Sequence, residues 1–183
     1  GEVVAVRTPP IQRFGTAKVT PPPGAFLQAT PHGEASLVEA VNEAVGEARH
    51  VMDLFAGCGT FSLPLAQKSE VHAIEGDAAM TAALDQGWRM SKGLKPVTTE
   101  TRDLFRRPLL PDEMSKIDAV VLDPPRAGAE AQVAEIAKAM PPVVAYVSCN
   151  PVTFSRDAAT LVSAGDSLDW IQVVDQFRWS SHV

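Results

Sequence analysis

From residue 50 onward, short apolar, β-branched runs alternate with helical patterns, and the connections between them are brief. This alternation limits the architecture more than any other feature, because neighbouring parallel strands need a crossover and a helix is the usual one. It predicts strands at 50–54, 70–76, 97–102, 117–122, 142–148 and 168–174. Val38, Val41, Val45 and Ala48 share one helical face, which predicts an amphipathic helix over 34–48. A helix starts between Thr60 and Gln67, with Pro64 in its first turn, and Asp77 caps another that runs to about 92. Two more are predicted over 128–140 and 151–164. The fold class is therefore α/β, a doubly wound and mostly parallel sheet. The 183 residues suffice for one domain with a proper core. Residues 1–30 are proline-rich and irregular apart from a β-branched run at Glu2–Val6. They read as a linker or the end of a preceding β domain, and 31–183 as the main domain.

Sheets of this kind bind ligands beyond the carboxyl ends of their strands. The first strand is followed there by Gly57-Cys58-Gly59, whose glycines allow a tight turn and close approach of a ligand to the backbone. A dinucleotide fingerprint needs a third glycine, and Ser62 stands in its place. Charge discriminates further. Asp53, Glu75, Asp77, Asp103 and Asp123 all fall at strand ends, where they would repel a pyrophosphate and suit a cation. S-adenosylmethionine, with a sulfonium and an ammonium, fits that crevice. Glu75 is placed for a ribose diol and Asp103 for an adenine amino group, Asp53 for direct ligand contact, and Asp77 for a helix cap alone.

The run Val147-Ser148-Cys149-Asn150-Pro151 puts a thiol between a buried strand and a helix opened by Asn-Pro. A helix N-terminus favours thiolate, so Cys149 reads as a nucleophile rather than a small buried hydrophobe. Cys58, inside the glycine turn, reads as structural. Neither cysteine belongs to a CxxC pair, so no metal site is expected, and two unpaired thiols suit a reducing cytoplasmic setting. No apolar run approaches the roughly 20 residues that span a bilayer, and a membrane partner is not expected. The net charge of −6 argues against a broad nucleic-acid-binding face on these residues. A monomer is expected. The prolines after Asp123 stiffen its loop and set where the carboxylate points.

Several segments in order, from Asp53-Leu54-Phe55-Ala56-Gly57-Cys58-Gly59-Thr60 through Leu122-Asp123-Pro124-Pro125-Arg126 to Ser148-Cys149-Asn150-Pro151, resemble the RNA uracil-5-methyltransferases. Phe26-Leu27-Gln28 and Val174-Asp175-Gln176-Phe177 add to the resemblance, which covers about 20–183. It implies a Rossmann-like class I methyltransferase domain over 31–183 with its final strand truncated, and a substrate uridine in ribosomal or transfer RNA. It implies that Cys149 attacks C6 of the base, that C5 then takes a methyl group from S-adenosylmethionine, and that Asp123 orients the uracil edge beside the cofactor. Gln28, Phe55, Thr60, Glu75 and Asp103 match family cofactor contacts, alongside Asp53, Gly57, Gly59 and Asp123. The family's proton acceptor is a glutamate after a His-Val pair. His182-Val183 are the last residues here, so a longer protein with that glutamate, and with an upstream RNA-binding segment, is expected. Two other readings stand beside this one. Asp123-Pro124-Pro125 also resembles the motif of adenine-N6 methyltransferases, although Arg126 replaces their aromatic residue. A non-catalytic module that binds cofactor or RNA is the third.

Overall fold

The computed structural model describes residues 8–176. The strand expected at Glu2–Val6, Phe177 and the His182-Val183 pair lie outside the described residues. A short antiparallel hairpin, β1 (Gln12–Phe14) and β2 (Ala17–Val19), precedes helix α1 (Pro31–Val45). There follow β3 (His50–Leu54), α2 (Ser62–Leu65), β4 (Glu70–Glu75), α3 (Ala78–Arg89) and β5 (Val97–Thr101). Then come β6 (Ala119–Leu122), α4 (Glu130–Ala139), β7 (Val143–Tyr146) and α5 (Pro151–Ala164). The main sheet is parallel throughout, in the order β5-β4-β3-β6-β7. The chain winds outward from β3 to β5, then returns to the other side of β3 with β6. The carboxyl ends of β3 and β6 therefore flank the switch point, where a crevice forms.

Alternation along the strands divides the core into two layers. Val51, Val71, Ala73, Val121 and Ala145 pack with Val41 and Val45 of α1 and Leu84 of α3. Met52, Leu54, Ile74, Val120 and Leu122 pack on the opposite face with Val133 and Ile136 of α4 and Leu161 of α5. Each fully buried side chain of this size stabilises the fold by roughly 1.5–3 kcal/mol before conformational entropy is subtracted. Helix starts follow local sequence signals. Thr30, Asp77 and Asn150 each accept a backbone N–H at the start of α1, α3 and α5, and Pro31 and Pro151 occupy first-turn positions where no N–H is needed.

Two departures from the sequence reading stand out. The proline-rich stretch contains the β1–β2 hairpin, and Phe14, Ala17 and Val19 are buried with Cys58, Leu63 and Ala83. Residues 12–19 thus belong to the core of this domain. Conversely, 168–174 is not a strand. Its apolar, β-branched content fits one, but a strand exists only through its ladder, and among the described residues β7 is paired only with β6. Leu168, Trp170, Ile171 and Val173 remain exposed.

Candidate active site

The carboxyl ends of the strands open onto a cavity of about 840 Å³. One side of its rim comes from the loops after β3, β4 and β5. Leaving β3, Phe55 adopts a left-handed backbone conformation (φ 62°), which a non-glycine residue holds at a cost of roughly 1–2 kcal/mol. Gly57 and Gly59 continue the turn with φ of 57° and 98°. A Cβ on Gly59 would come within 2.9 Å of Leu63, so the turn packs closely on the helix below. The Gly57 amide donates to Glu75 Oε2 at 2.9 Å and the Asp77 amide to Oε1 at 2.8 Å. Glu75 therefore ties two loops together, and each oxygen retains acceptor capacity while the residue lines the cavity. Asp103 Oδ1 accepts from the amides of Phe105 and Arg106, closing a turn that brings Phe105 against Phe55 with ring centroids 5.4 Å apart.

The other side comes from the loops after β6 and β7. Asp123 follows β6, and burial pushes its carboxyl up to about 7. Gln28 Nε2 lies 3.5 Å from Asp123 Oδ2. The Asn150 side chain accepts the Val152 amide with its oxygen and donates its Nδ2 to the Arg126 carbonyl at 2.9 Å. Thr153 Oγ1 donates to the same carbonyl. One asparagine thus caps α5 and anchors the Asp123-Pro124-Pro125-Arg126 loop, fixing the segment that carries Cys149 relative to Asp123. Below them, Asp157 is buried and accepts from the Ala129 amide and from Tyr146 Oη, and pairs with Arg156. Cys149 is exposed and lines the cavity.

Of the residues singled out from sequence, Gln28, Phe55, Gly57, Thr60, Glu75, Asp103, Asp123 and Cys149 line this one cavity. Asp53 and Gly59 do not. Asp53 faces inward from β3 one residue before the strand ends, is fully buried, and accepts from Ser62 Oγ. The sequence reading expects direct ligand contact from Asp53; in the structure it lies beneath the floor, and its Oδ1 has no partner among the described residues. Burial, with some repulsion from Asp123, pushes its pKa up to about 7 against the Ser62 bond. Asp77 caps α3 and stays out of the cavity, as its spacing suggested. Cys58 is buried, and burial together with the nearby Glu75 and Asp77 charges pushes its thiol up to about 11. Sequence reasoning missed Phe105 and took Gln176 only as part of a matching segment, without a role; both line the cavity. An aromatic residue two places beyond a turn-closing aspartate was the available signal for the first; Gln176 carried none for its contacts. Among the described residues no cluster of His, Cys, Asp and Glu suits a metal, and no helix is long and apolar enough to cross a membrane.

The fold is shared with solved methyltransferases. The tRNA (uracil-54, C5)-methyltransferase of Pyrococcus abyssi, solved with S-adenosyl-L-homocysteine, superposes with a TM-score of 0.70 at 27% identity, over 82% of this chain and 37% of that one. An uncharacterized RNA methyltransferase of Mesorhizobium japonicum is 53% identical over the whole of this chain and 44% of its own length. The 23S rRNA (uracil(1939)-C(5))-methyltransferase of Halomonas elongata is 39% identical over 88% of this chain and 35% of its own. The chain thus spans less than half the length of the curated relatives it matches. Residues 21–183 match the sequence model of the tRNA (uracil-5-)-methyltransferases, and the chain belongs to that family.

Proposed function

We propose that this chain is the catalytic part of an RNA methyltransferase that methylates C5 of a uridine through a covalent adduct on Cys149. One observation carries the reading: the exposed Cys149 thiol and the Asp123 carboxyl open onto the same cavity as the Gly57 turn, Glu75 and Asp103. The residues present fit S-adenosylmethionine. The Gly57 turn permits close backbone approach, Glu75 retains acceptor capacity for a diol, the tilted pair of Phe55 and Phe105 offers an aromatic wall for adenine, and the acidic rim suits a cation. Bound there, it would supply an electrophilic methyl group.

The chain's own residues account for the rest. Cys149 Sγ, as thiolate, forms a bond to C6 of uracil, and the C5–C6 π pair moves onto C5 and O4 as an enolate. Asp123 hydrogen-bonds the uracil edge and holds the ring over the thiol. After C5 has gained its methyl group, loss of the C5 proton to a base restores the C5–C6 double bond and expels the thiolate. The family resemblance places that base after His182 and Val183, beyond the described residues. The uridine must leave any base-paired stack to reach Cys149. Residues 31–183, with the β1–β2 hairpin packed beneath the glycine turn, form the catalytic domain.

The test uses RNA carrying 5-fluorouridine, whose C5 cannot lose a proton after methylation, so the adduct persists. With S-adenosylmethionine present, wild type should form a denaturation-resistant complex with this RNA and Cys149→Ala should not. Mass spectrometry of digested natural RNA should place the new methyl group on uracil C5. A methyl group on an exocyclic nitrogen, or trapping that survives Cys149→Ala, would overturn the reading.

A further inference from the structure

Gln176 lies 148 residues from Gln28 in sequence, yet its Nε2 donates to Gln28 Oε1 at 2.9 Å. Its Oε1 accepts the Thr30 backbone amide at 3.4 Å. Gln28 in turn presents Nε2 to Asp123 Oδ2. The polarity of this chain is set at one end by a group that can only donate. Because the Thr30 N–H needs an acceptor, Gln176 must face it with oxygen, so its NH2 faces Gln28. Gln28 must then accept with its oxygen and direct its own NH2 at Asp123. The Gln176 side chain occupies space that exists only because residue 33 is glycine: a Cβ there would fall 2.5 Å from Gln176 Cγ. Gly33 lies in the first turn of α1 with ordinary helical geometry, so close approach, not backbone conformation, is what glycine provides.

From this we infer that Gln176 is a positioning residue: it fixes the orientation of the Gln28 carboxamide so that a donor, not an acceptor, faces Asp123 and the cavity. Without it the Gln28 amide is free to turn over and set its oxygen against the Asp123 carboxyl. The inference rests on the proposed cofactor site for its functional consequence, although the hydrogen-bonded chain stands without it.

Three substitutions, one pair of them combined, and three readouts test it in the full protein. In ligand-free protein, nitrogen-15 spectra should show a distinct, slowly exchanging Gln28 carboxamide, assigned by its loss in Gln28→Ala. Gln176→Ala should shift that signal toward solvent-averaged values, and an unmoved signal would overturn the relay whatever the cavity binds. By calorimetry, Gln176→Ala should weaken S-adenosylhomocysteine binding about fivefold, the size of one neutral hydrogen bond. It should cause no further loss in a Gln28→Ala background, whereas an additive loss would mean that Gln176 acts independently of Gln28. Gly33→Ala should displace Gln176 and reproduce the weakened binding while keeping or raising the melting temperature, because alanine favours the helix. It also serves if Gln176→Ala folds poorly. Weakened binding that merely follows lost stability in every variant would overturn the positioning role. Failure of wild type itself to bind would instead overturn the cofactor reading and leave the relay to the spectra.

Discussion

The two sides of the cavity rim are held by different means. After β3, β4 and β5 the loops are fixed by backbone amides, glycine turns and one bridging carboxylate, all drawn from residues close to the strand ends. After β6 and β7 they are fixed by side chains that reach across the chain. Asn150 and Thr153 hold the Arg126 carbonyl, and Asp157 gathers Ala129, Tyr146 and Arg156. The cysteines mirror this difference. Cys58 is sealed in a glycine turn with its thiol pushed up, and Cys149 stands exposed where the side-chain-built loops meet. A rim built from backbone presents fixed donors to a ligand that needs only to be held. A rim built from side chains suits, on the proposed function, reacting groups that must face each other.

The largest effect should separate the two thiols. Cys149→Ala should lower methyl transfer by about 10³-fold or more, as loss of a covalent nucleophile does. Cys58→Ala should retain most activity and lose about 1 kcal/mol of stability. Equal loss from both would erase the contrast. Next, Asp157→Ala strands a buried amide, a tyrosine hydroxyl and an arginine at once, and should cost about 3–5 kcal/mol in urea unfolding.

Asp53 sharpens the contrast with Asp123, since both are pushed up to about 7 but only Asp123 lines the cavity. An acid whose folded pKa is raised binds more protons folded than unfolded. Its ionisation therefore destabilises the fold as pH climbs from about 4 to about 7 and keeps the fold weakened above that. Asp53→Asn, which removes the charge and can still accept from Ser62, should raise stability at pH 8 by a few kcal/mol and change little at pH 4. Thermal melts across that range would reveal the difference, and an equal shift at both pH values would contradict it. A small effect, matching that of Cys58→Ala, belongs to Asp77→Ala. It should cost about 1 kcal/mol, as a lost N-cap does, with S-adenosylhomocysteine affinity unchanged. Altered affinity would make Asp77 a ligand contact rather than a cap.

Most of the fold was legible because strand and helix periods differ and each buried strand here announced itself by β-branched residues. The β1–β2 hairpin escaped because three-residue strands carry almost no period and adjoining prolines dominated the reading. The expected strand at 168–174 failed for the opposite reason: its apolar, β-branched residues were present, but a ladder partner among the described residues was not. Within the site, Gly57, Glu75, Asp103, Asp123 and Cys149 could be picked out because ligands meet such sheets at strand ends. The Asn150–Arg126 bond and the Gln176–Gln28 pair could not, since each joins segments far apart in sequence.

By itself the sequence determined the α/β alternation, the helix starts at Asp77 and Asn150, and the chemical types waiting at the strand ends. Only the tertiary structure decided which of those groups reach the cavity. Asp53 and Asp123 are the same residue near the ends of neighbouring strands, yet one is sealed beneath the floor and the other opens onto the cavity. Residue type and period say which way a side chain leaves its strand. Whether it meets protein or open space depends on the layers packed over it, and those come from distant parts of the chain.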